Sequence, residues 1–229
     1  MSSAAPLLQV AGLAASIQAM PALRGLSLQV AQGEMVSLVG RNGAGKTSFM
    51  RAVMGHLPAT AGQLTFGGSD LKTLPRHARA AMGIGYMPED RGLVPQLTVE
   101  ENILLPLWVN RQLPQAERLA LTYRLLPEVH AMRERRALLL SGGQQKLVSL
   151  ARALAVGTRL LLLDEPFEGV APALAQRLAE VIRALQGSTL AVLISQSDMH
   201  HGQALFTRQY VIERGANAAG MAAGMAATV

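Results

Sequence analysis

Gly40-Arg41-Asn42-Gly43-Ala44-Gly45-Lys46-Thr47 decides the reading of this chain. The order G-x-x-x-x-G-K-T is that of a phosphate-binding loop. The apolar run Met35-Val36-Ser37-Leu38-Val39 before it predicts a short buried strand, and Ser48 to Met54 after it has helical spacing. Strand, glycine loop and helix, in that order, form the setting in which the motif binds phosphate instead of serving as a plain turn. Three glycines let the backbone curl without Cβ clashes and aim its N–H groups at phosphate. The helix that starts there adds the positive end of its dipole. In that setting Lys46 reaches the β- and γ-phosphates of a nucleotide, and the Thr47 hydroxyl binds Mg²⁺.

Composition agrees with a packed domain around this loop. The chain has 229 residues, of which half are apolar and 16% charged, so it has ample material for a core. It has no cysteine, which excludes a disulfide framework and thiolate metal sites. Net charge is +6, with Lys and Arg spread along the chain; such a basic surface suits anionic lipid or nucleic acid, and equally an ordinary solvated surface. No run of 18 strongly apolar residues predicts a membrane span. The first 23 residues are uncharged, but they lack a basic start, and Pro6, Gln9, Ser16 and Gln18 interrupt the apolar run, so a signal peptide is not expected.

In chain order, Leu7–Leu13 and Leu26–Val30 alternate and predict strands of an antiparallel layer. Gly55 to Gly62 reads as a connection, Gln63–Phe66 as a strand, Pro75–Met82 as a short basic helix and Ile84–Met87 as a strand. From Thr98 to about Arg136 the apolar residues recur at helical spacing, punctuated by Pro106, Pro114 and Pro127, with an N-cap signal at Thr98-Val99-Glu100-Glu101. A helix follows Ser141 to about Val156, then a strand ending at Asp164-Glu165, a helix over Pro172–Leu185, and strands at Thr189–Ser195 and Gln209–Glu213. The fold class expected is α/β: a P-loop NTPase core with a mostly parallel sheet, an antiparallel β layer and an inserted helical subdomain. One domain spans 1–229, with the core at 1–95 and 157–214, the helical subdomain and its last helix at 96–156, and a flexible Ala/Gly/Met tail at 215–229.

Asp164 and Glu165 end a buried strand, where open α/β sheets bind ligands. Asp164 there would hold Mg²⁺, and Glu165 would polarise a water for in-line attack on the γ-phosphate. Leu140-Ser141-Gly142-Gly143-Gln144 is the more discriminating stretch. Ser141 caps the next helix, and two glycines allow close approach to phosphate. A second such helix start has little use within one subunit, but makes sense if it covers the nucleotide of a partner.

At this point the chain resembles the ATP-binding-cassette family over nearly its whole length. The resemblance implies ATP and Mg²⁺ as ligands, ATP hydrolysis, and two cassettes that sandwich two ATP head to tail. It implies nucleotide contacts from Ile17 and from Arg41, Asn42, Gly43, Ala44, Gly45, Lys46, Thr47 and Ser48, and contacts in trans from Ser141, Gly142, Gly143 and Gln144. The metal set it implies is Thr47, Asp164 and Glu89, and the catalytic set is Glu165, Lys46 and Gln196. Tyr86-Met87-Pro88-Glu89-Asp90-Arg91-Gly92, Leu97-Thr98-Val99-Glu100-Glu101-Asn102 and Asp164-Glu165-Pro166-Phe167-Glu168-Gly169-Val170-Ala171-Pro172 are similar to the cassettes of bacterial branched-chain amino acid importers. Related cassettes serve urea and short-chain amides. The partners so implied are two membrane permeases, a second cassette (a paralogue or a second copy) and, indirectly, a solute-binding protein outside the membrane, with no nucleic acid. The place implied is the cytoplasmic face of a bacterial inner membrane.

Four positions depart from the wider family pattern. Glu89 replaces a glutamine, Gln196 stands at the switch histidine, Ala171 replaces an aspartate, and Ile17 replaces an aromatic that stacks on adenine. Gln196 can hydrogen-bond a phosphate oxygen but carries no charge. His200 and His201, farther on, read as surface residues. Two other readings compete with a transport motor. A soluble cassette acting on nucleic acid would carry two cassettes or a long coiled coil, and no heptads are sustained here. A regulatory cassette with little turnover is opposed by intact Lys46, Thr47, Asp164 and Glu165.

Overall fold

A computed structural model of the chain describes residues 5–109, 113–197 and 205–218. The elements are β1 (Leu8–Ile17), β2 (Met20–Val30), β3 (Met35–Val39), α1 (Lys46–Val53), β4 (Ala59–Phe66), β5 (Ser69–Asp70), α2 (Ala78–Ala81), β6 (Ile84–Met87), α3 (Val99–Val109), α4 (Gln115–Leu125), α5 (Pro127–Ala131), α6 (Gly142–Val156), β7 (Leu160–Asp164), α7 (Pro172–Arg183), β8 (Ala191–Gln196), β9 (Arg208–Glu213) and β10 (Ala216–Asn217). Two sheets form. One is antiparallel in the order β2-β1-β4-β5, and the other runs β10-β9-β3-β8-β7-β6. The second is parallel from β9 through β6, with β10 antiparallel at its edge. This is the α/β architecture that the strand and helix pattern predicts.

The apolar strands are buried on both sides, and their two-residue period sorts side chains between two cores. Leu160 and Leu162 of β7 join Val36, Leu38 and Leu193 with the antiparallel sheet and Phe49, Met50 and Val53 of α1. Leu161 and Leu163 join Met35, Val192 and Ile194 with Val99, Ile103 and Leu107 of α3, Val129 of α5, Val148 and Leu154 of α6, and Leu178 of α7. The helical insert therefore shares one core with the sheet. Two arginines fasten it. Arg118 of α4 donates to Ala155 O (2.8 Å) and Gly157 O (2.9 Å), capping α6 where its carbonyls lack partners. Arg177 of α7 pairs with Glu128 of α5 through two bonds, 2.7 and 3.2 Å.

Several boundaries differ from the sequence reading. β1 and β2 form one long hairpin reaching Ile17 and Met20, because bulges in β1 absorb the irregular residues. β4 starts at Ala59, inside the expected connection. Gly62, at φ +83°, keeps the strand going where any Cβ would collide with the Gly12 carbonyl. The basic helix shrinks to Ala78–Ala81. Pro106 lies inside α3 instead of ending it. The expected flexible tail starts as structure: Ala216 and Asn217 pair with β9, and the rest of the described segment is Ala218. The tail beyond Ala218, and His200 and His201, lie outside the described residues. The capping signal at Thr98 is realised: Thr98 N donates to Glu101 Oε2 (2.7 Å), and Glu101 N donates to Thr98 Oγ1 (3.2 Å). Among the described residues no helix is long and apolar enough to cross a membrane.

Candidate nucleotide site

The parallel register brings the ends of four strands level. Val39 pairs with Gln196, Asp164 with Ser195, and Met87 with Leu163. The glycine loop follows β3, Asp164 closes β7, and Glu89 follows β6, so all converge at the carboxyl edge. Gly45, at φ +110°, turns the chain into α1, and Ala44 N closes the loop on Arg41 O at 3.0 Å. A cleft of about 700 Å³ lies above, lined at its inner end by Asn42, Gly43, Gly45, Lys46, Thr47, Ser48, Glu89, Glu165 and Glu168. Its outer end is lined by Ile17, Met20, Arg24 and Arg214. Ile17 is 49% and Met20 75% exposed, so an aliphatic shelf stands where a base would lie. Arg41 and Ala44 are not part of the lining; the Arg41 carbonyl accepts from Ala44 N and from Lys46.

Lys46 is buried, and it donates to Gly40 O and, at 3.1 Å, to Arg41 O. Its ammonium also pairs with Glu165 Oε1 at 2.9 Å. A lysine held so by loop carbonyls is aimed at the volume the loop N–H groups enclose. A phosphate entering there would compete with Glu165 for it.

Asp164 is fully buried. It accepts from Ser195 Oγ at 2.6 Å, and Tyr86 donates to its other oxygen at 3.4 Å. Burial pushes its carboxyl above the usual range; the Ser195 and Thr47 hydroxyls pull it back, and the charges of Glu89 and Glu165 push it up again. Burial likewise pushes the Tyr86 phenol up, helped by Asp164, so it stays a donor. Thr47 Oγ1 stands 3.4 Å from Glu89 Oε2. Thr47, Asp164 and Glu89 thus bring hard oxygen atoms together at one spot. Mg²⁺, which takes one or two carboxylates and completes its shell with phosphate and water, suits that donor set. Among the described residues no group of three His, Cys, Asp or Glu forms a self-sufficient metal cage.

The backbone of Glu165 adopts φ +48°, rare for a residue with a Cβ. Its N–H donates to Ser195 Oγ at 3.0 Å. Its side chain meets Lys46 and the Ser197 hydroxyl, the latter at 2.7 Å. Ser197 Oγ also lies 2.6 Å from Asn42 Oδ1. One hydroxyl proton serves one acceptor, and an Asn42 carboxamide turned end for end would donate to Ser197 and leave that proton to Glu165.

The structure does not bring Gln196 into the cleft lining. Alternation along β8 sends Ser195 and Ser197 to the Glu165 side and Gln196 the other way. Gln196 is buried, its Oε1 has no hydrogen-bond partner, and it is absent from the cleft lining. Ser197, missed in the sequence, is the residue that reaches the Glu165 carboxylate, and Ser195, also missed, links the Asp164 carboxylate to the Glu165 backbone N–H. The alternation at the strand end was the available signal.

Ser141, Gly142, Gly143 and Gln144 lie apart from the cleft of their own chain. Ser141 caps α6 in a reciprocal box: Gln144 N donates to Ser141 Oγ (3.3 Å), and Ser141 N donates to Gln144 Oε1 (3.0 Å). Ser141 and Gly142 at this helix start are exposed.

Comparison with known proteins gives a consistent result. A family described as ABC transporter matches residues 23–168. The lipopolysaccharide export system ATP-binding protein LptB of Escherichia coli strain K12 is 37% identical over 192 residues, 83% of this chain and 80% of that protein. LptB of Acidithiobacillus ferridurans is 36% identical over 211 residues, 91% of this chain and 87% of that protein. Among solved structures, an ATP-binding cassette of an ABC transporter in its ADP conformation matches with TM-score 0.78 at 26% identity, covering 94% of this chain and 90% of that one. A nucleotide-free cassette from an ABC transporter gives 0.79 at 25%, with the same coverage.

Proposed function

The chain belongs to the ABC transporter family, and on that premise we propose that it is the motor subunit of a membrane transporter, with Glu165 as its general base. It is an ATP-hydrolysing cassette, with ATP as substrate and Mg²⁺ as the accompanying ion. The observation that carries the mechanism is the buried Lys46–Glu165 pair, its Nζ and Oε1 2.9 Å apart.

The loop N–H groups and Lys46 receive the β- and γ-phosphates, and Lys46 then exchanges Glu165 for phosphate. Glu165, still held by Ser197, orients a water and takes its proton as the water attacks in line. Thr47, Asp164 and Glu89 would hold Mg²⁺, which supplies charge neutralisation on the phosphate oxygens. Ser141 and Gly143 of a second cassette close the site from outside, so two ATP favour the closed dimer and hydrolysis reverses it. A groove of about 650 Å³ between Tyr86, Pro88 and Asp90 of the core and Leu105 and Pro106 of α3 takes a short permease helix.

For the cargo, the motifs Tyr86–Asn102 and Asp164–Pro172 favour an importer of branched-chain amino acids or related small polar solutes. A second reading, lipopolysaccharide export, is favoured by the names of the relatives above. Affinity purification of the chain from detergent-solubilised membranes, with mass identification of what accompanies it, separates them. Two polytopic permeases with a second cassette and a solute-binding protein would support import. Partners of an envelope lipid exporter would replace it with the second reading, and ribosomes or DNA would overturn both.

A further inference from the structure

Lys146 is a buried cation that the mechanism above leaves unused. It sits one turn inside α6, the helix that begins at the Ser141-Gly142-Gly143 cap, and is 5% exposed. Its ammonium donates to Glu165 O at 2.9 Å and to Glu168 O at 2.6 Å. It forms no ion pair among the described residues; two backbone carbonyls replace the water it gave up on burial. The two carbonyls belong to the ends of one tight turn, since Glu168 N also donates to Glu165 O, at 3.2 Å.

This turn carries the strained residue of the site. Glu165 at φ +48° is held at its N–H by Ser195 and at its carbonyl by Glu168 N and Lys146. Backbone strain of this kind persists only where the surroundings over-determine it. The three contacts are that over-determination; Ser195 supplies one from β8, and Lys146 supplies one from α6.

We propose that Lys146 is a positioning residue for ATP hydrolysis: it ties the helix behind the Ser141-Gly142-Gly143 start to the turn of Glu165 and so fixes where the base stands. Contact made by a partner at the tip of α6 reaches the base of the same chain through this ammonium, one helical turn away. Arg91 reinforces the link from the other side. It donates to Gln145 Oε1 at 3.0 Å, and its carbonyl accepts from Ser149 and Arg152 of α6.

The inference rests on Glu165 acting as the base, and the test separates the two claims. Steady-state ATP hydrolysis by the full chain is compared for the parent, K146M, E165Q and the double variant, with binding of a fluorescent ATP analogue as the check of folding. K146M is expected to lower kcat about tenfold with KM for ATP within about twofold, because a base displaced by a fraction of an ångström loses rate and not binding. In the E165Q background K146M is expected to change the residual rate less than about twofold, since a residue that acts through the base adds nothing once the base is gone. K146R, which keeps the charge and the donors, is expected to recover part of the rate. A parental kcat in K146M, or the same tenfold loss in both backgrounds, overturns the proposal. A parental rate in E165Q alone strikes the assignment of the base instead. If K146M does not bind the analogue, K146Q, which keeps one N–H donor, carries the same comparison.

Discussion

Replacing Ser195 by alanine removes two bonds from the buried heart of the site. Ser195 is fully buried, and its hydroxyl donates to Asp164 Oδ1 at 2.6 Å while accepting from Glu165 N at 3.0 Å. A hydrogen bond to a charged group is worth about 1.5–3 kcal/mol, and a buried donor left without an acceptor costs about 1–3 kcal/mol. Partial entry of water offsets some of this, so the expected loss is about 3 kcal/mol in the nucleotide-free protein. For a chain of this size each kcal/mol moves Tm by about 2–4 °C, which gives a drop of about 6–12 °C. Thermal unfolding by circular dichroism measures it, with S197A as the comparison. Ser197 is only partly buried, and its loss is expected to move Tm by less than about 2 °C. If S195A melts within about 2 °C of the parent, the hydroxyl is not bridging the Asp164 carboxylate and the Glu165 N–H, and the geometry given for Asp164 and Glu165 is wrong.

Other substitutions probe the rest of the cleft. S197A is expected to reduce kcat about tenfold at unchanged KM, because the hydroxyl orients the base and adds little to binding; an unchanged kcat contradicts its place beside Glu165. Q196M should keep kcat within about twofold and leave Tm unlowered, since an amide oxygen without a partner loses nothing when replaced by an apolar side chain of similar shape. A tenfold fall in kcat would instead return Gln196 to the reaction. I17Y adds an aromatic face to the outer shelf and should tighten the Kd for ATP about three- to tenfold, in line with the worth of base stacking. Equilibrium titration with a fluorescent analogue reads it, and an unchanged Kd means the base does not lie on Ile17.

The parts of the site that the sequence displays are those whose backbone setting follows from pattern alone. Leu160–Leu163 is apolar throughout, so it lies within a covered parallel sheet, and its last residue, Asp164, falls at the ligand edge whatever the detail of packing. The glycine loop is similarly constrained, because its spacing is the binding geometry. Ser195 and Ser197 are less visible: a serine at a strand end is common, and only the strand's final register separates them from Gln196. Lys146 reads as a solvated helix lysine, yet with Ser149 and Ala153 it lies on the buried face of α6 at spacings of three and seven residues. The hairpin β1–β2 runs longer than the alternation over Leu7–Leu13 and Leu26–Val30 predicts. The structure uses the positive φ of Gly12 and Gly25 for irregularities within a continuous pair of strands.

The central claim is that Glu165, released from Lys46 when phosphate enters, is the base for ATP hydrolysis. The direct measurement is hydrolysis of ATP with Mg²⁺ by purified E165Q beside the parent chain, with binding of a fluorescent ATP analogue measured on both. Loss of a general base predicts a kcat at least about a hundredfold lower. Binding should be equal or tighter, because the lysine no longer has a carboxylate to give up. Hydrolysis at the parental rate by E165Q, with ATP bound normally, would contradict the account and move the chemistry to another residue of the cleft.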